Sequence, residues 1–222
     1  MSRPVFAVFT AGGSGSRMGS VLPKQFMELG DAPVLQRTIE TFLEAVPDAR
    51  VITVLPENHL ATWKNICISR SVSFPQTLVK GGMTRFHSVR NALEKVPDGA
   101  IVAVHDGVRP LFTPALVCTM LQRMEECPAL IPVVPVVDTL RSSVPGAPAP
   151  DRSSIVAVQT PQMFWSEKLK AAYRQPYDTS FTDDASVAER AGIPVKTVPG
   201  ERFNIKITTP EDMLLAKAIL SL

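Results

Sequence analysis

What most constrains this chain is a rhythm. Short apolar, β-branched runs stand at Val5 to Phe9, Val51 to Leu55, Ala100 to Val104 and Leu130 to Val137, with amphipathic stretches of helical length between most of them. Strand, helix, strand in repetition is the pattern of an α/β fold. The run Ile101-Val102-Ala103-Val104 has no polar alternation, as befits a parallel strand covered on both faces by helices. The expectation is a mostly parallel twisted sheet with helices on both faces. At 222 residues, 45% of them hydrophobic, the chain is long enough to bury a core as a single domain over 1–222. The 20 prolines punctuate the periodic segments without forming a low-complexity tract, and no internal repeat is visible.

Charge and cysteine content exclude several classes of function. Lys plus Arg number 23 against 21 acidic residues, a net charge of +2, which provides no global field for a nucleic-acid backbone or an anionic membrane. Cys67, Cys118 and Cys127 are odd in number and form no C-x-x-C, so neither a disulfide framework nor a zinc site is expected, and a reducing cytoplasm suits them. No apolar run approaches the roughly 20 residues that span a bilayer, and a soluble protein is expected.

Between Pro135 and Arg152 the texture changes. Val136 to Ser143 reads as a strand, whereas Val144-Pro145-Gly146-Ala147-Pro148-Ala149-Pro150 cannot form regular hydrogen-bonded structure. The segment at about 136–155 is either a surface loop or a protruding two-stranded β-arm that reaches a neighbouring subunit.

The first strand runs into Thr10-Ala11-Gly12-Gly13-Ser14-Gly15-Ser16-Arg17-Met18-Gly19, a glycine-rich turn at the carboxyl end of a strand, where α/β folds bind phosphates. Its glycines either serve positive φ in a flexible turn or let backbone N–H groups approach an anion. The dinucleotide fingerprint fails because Met18 stands where its last glycine belongs and no acidic ribose ligand follows at Pro33-Val34-Leu35. The P-loop pattern fails because no Gly-Lys-Ser or Gly-Lys-Thr occurs in the loop. What remains places Arg17 and Lys24 just past the glycines, as a polyphosphate clamp or as ordinary solvated cations.

Four further segments carry chemistry. Val104-His105-Asp106-Gly107-Val108-Arg109-Pro110 delivers a carboxylate and an arginine to a strand end. Asp106 would help hold a metal-bound triphosphate or a substrate hydroxyl and Arg109 an anion, or the two would form a salt bridge in a turn. His105 reads as a packed imidazole and not a base. Gly81-Gly82 enters a helix on which Arg85 and Ser88 share a face, suited to a base edge or ribose, although helix capping by Thr84 explains the glycines nearly as well. Asp183 and Asp184 open another helix and read as caps, not metal ligands. Phe203 to Thr208 alternates like a strand, which sets Lys206 opposite Ile205 and Ile207, as an electrostatic catalyst or a strand-edge lysine.

Taken together, the sequence resembles the 2-C-methyl-D-erythritol 4-phosphate cytidylyltransferase family. The marks are Ala11-Gly12-Gly13-Ser14-Gly15-Ser16-Arg17-Met18, Pro23-Lys24-Gln25, Gly81-Gly82 with Arg85 and Ser88, and His105-Asp106-Gly107-Val108-Arg109-Pro110. Asp138-Thr139, Asp151-Arg152, Thr160-Pro161-Gln162, Thr182-Asp183-Asp184-Ala185-Ser186 and Asn204-Ile205-Lys206 continue them in order. The resemblance implies a Rossmann-like nucleotidyltransferase fold and a homodimer in which each subunit extends an arm over its neighbour's site. It implies that Arg17 and Lys24 stabilise the transition state and that Arg152 and Lys206 position the substrate phosphate. By the same resemblance Ala11, Gly12, Gly13, Gly82 and Ser88 surround CTP, and Asp106, Arg109, Thr139 and Thr182 surround the polyol phosphate. Mg2+ would be held mainly by the CTP phosphates, and no residue is assigned as its ligand. The sequence departs from the family in Gly107-Val108, where many members carry two alanines, and in a short, proline-rich arm.

The activity so implied is transfer of CMP from CTP to 2-C-methyl-D-erythritol 4-phosphate, with release of pyrophosphate, in non-mevalonate isoprenoid precursor synthesis. A phosphate monoester has a second pKa of about 6 and is already an ionised nucleophile at neutral pH, so no general base is needed. The alternatives are a cytidylyltransferase for another polyol phosphate such as ribitol 5-phosphate, a non-catalytic nucleotide-binding protein, and a transferase for sugar 1-phosphates with another base.

Overall fold

The computed structural model describes residues 3–13 and 22–222. The central sheet has the order β10-β7-β9-β6-β1-β4-β5. Its first half is parallel: β5 (Gln76–Lys80), β4 (Arg50–Leu55), β1 (Val5–Thr10) and β6 (Ile101–Asp106). Beyond β6, strand β9 (Gln162–Trp165) runs antiparallel between β6 and β7 (Ala129–Pro135), and β10 (Lys196–Pro199) lies parallel to β7.

The strands form where apolar runs were read, and both their faces are covered. Along β1, Phe6 and Val8 join one core with α3 (Arg85–Leu93), α5 (Ser166–Ala172) and α6 (Asp184–Arg190), while Ala7 and Phe9 join another. That second core holds α1 (Val34–Ala45), α2 (Glu57–Ser69) and α4 (Pro114–Arg123), through Leu35, Ile39, Phe42, Trp63 and Met120. Alternation along a strand thus builds two cores back to back. A third, small core joins the hairpin of β2 (Glu28–Leu29) and β3 (Ala32–Pro33) to α7 (Pro210–Leu220) through Leu29, Val34, Met213 and Ala216.

The chain runs from β1 outward through β4 to β5 and then returns across the sheet to β6, which pairs with the other side of β1. The reversal opens a crevice beyond the carboxyl ends of β1 and β6, the place where open α/β sheets bind ligands.

Three strand expectations are corrected. Val136 to Ser143 is no strand, and Leu130 to Val137 ends as a strand at Pro135. The root of the arm is an antiparallel pair between β7 and β8 (Val156–Val158), in register from Val133 with Val158 to Pro135 with Val156. Beyond it the return leg carries Pro145, Pro148 and Pro150, which have no N–H to donate to a ladder, and residues 141–154 are all exposed. Phe203 to Thr208 is also not a strand. Its alternation is real, since Ile207 is fully buried and its N–H donates to Val108 O at 2.9 Å, but no ladder continues from that bond.

Candidate active site

The crevice holds a cavity of about 330 Å3. Ala11, Gly12, Gly13, Lys24, Gly82, Ser88, Asp106 and Lys206, from five separate stretches of the expected site, all line it, and so does Arg85. Arg17 lies outside the described residues.

The backbone draws these loops together. Ala11 N–H donates to Val54 O, Gly81 N–H to Leu55 O and Gly107 N–H to Thr10 O, which ties the carboxyl ends of β1, β4 and β6 into one floor. Neither Gly12 nor Gly13 takes a positive φ, so left-handed freedom is not what the loop uses them for. Gly82 is required by space: a Cβ there would lie 2.4 Å from His87 Cβ. Its N–H donates to Ser88 Oγ at 3.0 Å, while Ser88 donates to Thr84 O.

Lys24 opens a 3-10 turn, Lys24–Phe26, whose three residues are all buried. Gln25 Nε2 donates to Ala11 O at 2.9 Å and fastens the turn to the glycine loop. Beneath it Phe26 stacks on Trp63, with ring centroids 5.9 Å apart and planes 12° apart. Lys24 is therefore a cation built on a packed platform.

Asp106 is the only carboxylate among the described residues lining the cavity. Arg109 Nε and Lys206 Nζ each lie 3.1 Å from its Oδ2, and Arg85 Nε lies 3.9 Å from its Oδ1. Burial, the largest single influence, pushes the Asp106 carboxyl up, but the summed field of Arg85, Lys206 and Arg109 outweighs it and holds the group well below the usual carboxylate range. The salt bridge foreseen as the plain alternative for Arg109 is present. Arg109 also donates to Asn204 O at 2.8 Å and is not among the cavity-lining residues.

His105 is packed, as expected. It has no exposed surface, its Nδ1 meets Thr160 Oγ1 at 2.9 Å and its Nε2 meets Arg109 O at 3.1 Å. Burial is the main cause that lowers its pKa to about 4, so at neutral pH it is an uncharged spacer behind Asp106.

Besides Arg109, three expected residues do not line the cavity. Thr139 and Arg152 sit exposed on the arm, where Arg152 Nη1 donates to Val137 O at 3.0 Å, and Thr182 is exposed ahead of α6. Of the two aspartates read as caps, only Asp183 is one: its side chain accepts from Ser186 N–H in a capping box. Asp184 is fully buried and pairs with Arg85 at 2.6 Å, which removes Arg85 from the free recognition face expected of it.

Residues not singled out for a role hold the site in place. Asn204 is buried, donates to Thr160 O at 2.8 Å and accepts at its own carbonyl from Arg109 and Gln159, fixing the segment that carries Lys206. Thr160 Oγ1 accepts the Asp106 N–H at 3.1 Å. The only sequence signal for them was their place in the motifs Thr160-Pro161-Gln162 and Asn204-Ile205-Lys206.

An open sheet with a glycine-walled, cation-rich crevice at its switch point defines a nucleotide-using transferase of the α/β nucleotidyltransferase fold. The family model for 2-C-methyl-D-erythritol 4-phosphate cytidylyltransferase matches residues 5–222, and the chain belongs to that family. A curated relative of that description from Porphyromonas gingivalis is 47% identical over 223 residues, covering 100% of both chains. One from Symbiobacterium thermophilum is 41% identical, covering 98% of this chain and 93% of its own. Among solved structures, the 4-diphosphocytidyl-2C-methyl-D-erythritol synthase of Anaerococcus prevotii superposes with a TM-score of 0.83 at 28% identity over 99% of each chain. The 2-C-methyl-D-erythritol 4-phosphate cytidylyltransferase of Thermus thermophilus gives 0.76 at 30% identity over 100% of each.

Proposed function

We propose that this chain transfers the cytidylyl group of CTP to 2-C-methyl-D-erythritol 4-phosphate, forming 4-diphosphocytidyl-2-C-methyl-D-erythritol and pyrophosphate in isoprenoid precursor synthesis. The observation that carries the reading is the gathering of Lys24, Arg85 and Lys206 around one glycine-walled cavity at the switch point of the sheet.

The chemistry asks for little beyond placement and charge. A phosphate oxygen of the polyol substrate attacks the α-phosphorus of CTP in line, a new P–O bond forms, and the bond to pyrophosphate breaks. The nucleophile is already ionised at neutral pH, so the absence of a basic histidine costs nothing: His105 is buried, neutral and hydrogen-bonded at both nitrogens. What raises the barrier is bringing two polyanions together and adding charge to a pentacoordinate phosphorus. Lys24 on its packed turn, with Arg17, stabilises that charge, and Lys206 with Arg152 positions the attacking phosphate. Cytosine meets the backbone around Ala11 to Gly13 and Gly82 with Ser88, and the polyol meets Asp106, Arg109, Thr139 and Thr182.

A divalent cation fits this site as a passenger on CTP. Asp106, already paired with Arg109 and Lys206, has little charge left for a dication, so Mg2+ would be held mainly by the triphosphate oxygens. Bound there, it would supply charge neutralisation for the leaving pyrophosphate. The working unit is a homodimer in which the arm at about 136–155 crosses to the neighbouring cavity. Support comes from the exposure of Val137 and Val144 on the arm and of Val156 and Val158 at its root, apolar surface that a second copy would cover. The free state of all three cysteines suits the cytoplasm.

Pyrophosphate release tests the reading, with each of four nucleoside triphosphates offered against methylerythritol 4-phosphate and ribitol 5-phosphate. The expected result is turnover confined to CTP with methylerythritol phosphate. Preference for ribitol phosphate, or for UTP or ATP, would replace the substrate assignment, and no release with any pair would reject catalysis.

A further inference from the structure

The three cations around Asp106 share its carboxylate unevenly. Arg109 and Lys206 both meet Oδ2. Arg85 Nε stands 3.9 Å from Oδ1, beyond hydrogen-bond reach. Among the described residues Oδ1 has no other ionic contact. An arginine beside a carboxylate in a cavity wall ordinarily closes on it as a short, often bidentate pair.

What restrains Arg85 is Asp184. Arg85 Nη2 donates to Asp184 Oδ2 at 2.6 Å, and the Tyr173 hydroxyl donates to Asp184 Oδ1, also at 2.6 Å. Tyr173 is 3% exposed and stacks on Phe86 with centroids 4.6 Å apart. Burial first, and the Asp184 charge second, raises its phenol well above the ordinary range, so it remains a donor. The backbone beside Asp184 is pinned to β9, where Ala185 N–H donates to Gln162 Oε1 and Gln162 Nε2 donates to Asp183. Asp184 itself has no exposed surface and so meets no substrate.

We propose that Asp184 is a positioning residue which, braced by Tyr173, holds the Arg85 guanidinium off Asp106 and leaves Asp106 Oδ1 available to accept a hydrogen bond from a hydroxyl of the polyol phosphate. The inference rests on the proposed function. Without the tether Arg85 closes on Oδ1, and the substrate hydroxyl loses its acceptor.

Steady-state kinetics of Asp184→Asn, Arg85→Gln and the pair test it, with each substrate varied while the other saturates. Asp184→Asn is expected to raise KM for the polyol phosphate about tenfold, the loss of one hydrogen bond to a charged group, while KM for CTP stays near the wild-type value. In the Arg85→Gln background the same substitution is expected to add less than about twofold, because no guanidinium remains to collapse. Equal losses with and without Arg85, or equal rises in both KM values, overturn the proposal. Tyr173→Phe loosens the brace but keeps the charge, and is expected to raise the polyol KM about threefold only when Arg85 is present. It decides the matter if Asp184→Asn does not fold, and an effect independent of Arg85 overturns the proposal in the same way. Wild-type protein that turns over no polyol phosphate would count against the proposed function instead.

Discussion

The cavity wall and the arm both carry residues of the expected site, yet they are built in opposite ways. Lys24, Asp106 and Lys206 converge within one chain, on a floor tied by backbone hydrogen bonds and backed by Phe26, Trp63, Asn204 and His105. Thr139 and Arg152 stand on an exposed segment, where the hydrogen bond that orients the Arg152 guanidinium goes to Val137 O within the arm itself. Preorganised charge belongs where the transition state forms, because a cation that must first be ordered stabilises less. Charge on an arm that adjusts to a partner serves binding. On the proposed reading, the difference separates a catalytic centre folded into one chain from a substrate clamp that the proposed homodimer would supply.

That division fixes the order of effects. Lys206→Ala is expected to lower kcat/KM about a hundredfold, split between kcat and the KM for the polyol phosphate. A loss confined to KM would move Lys206 from the catalytic wall to the binding clamp. Arg152→Ala is expected to raise KM for the polyol phosphate about tenfold with little change in kcat or melting temperature, since the residue is exposed. Unaltered kinetics would remove Arg152 from the site. Mixing the two variants, assayed at a polyol phosphate concentration well below the wild-type KM, sharpens the contrast. If the arm crosses between subunits, half of a randomly mixed population is heterodimer with one intact site, and activity rises to about a quarter of wild type; activity no higher than the average of the two variants would place Arg152 over its own cavity.

The smallest effect concerns the backing of the wall. The pKa of His105 in the folded protein is about 4, against its ordinary 6.5, so below pH 6.5 the unfolded chain takes up the proton first. Stability from this group is complete above pH 6.5, falls as pH drops toward 4, and changes no further below that. Asp106, held below its ordinary 3.8, adds its own loss only in more acidic solution. Melting temperature followed against pH is expected to fall by several degrees between pH 6.5 and 4, and less so in His105→Gln. Equal slopes in both proteins would show that His105 is not buried neutral.

The strands were legible because a parallel strand must be apolar on both faces, and Val5 to Phe9 and Ile101 to Val104 show that directly. The glycine turns and Lys24 were legible because they follow strand ends. Alternation at Phe203 to Thr208 marked which side chains are buried but not whether the backbone has a neighbour to pair with. Arg85 and Asp184 stand 99 positions apart and meet only because β9 and α6 bring them together. A buried polar residue such as Asn204 has no periodicity to mark it, since its partners are carbonyls chosen by the fold.

Lys24 is where the account is most exposed. The direct measurement is the single-turnover rate of pyrophosphate release by Lys24→Ala, with CTP and methylerythritol phosphate both saturating and the melting temperature recorded alongside. The expected rate is lower by about a hundredfold or more in a protein that remains folded. A folded variant that releases pyrophosphate at close to the wild-type rate would contradict it.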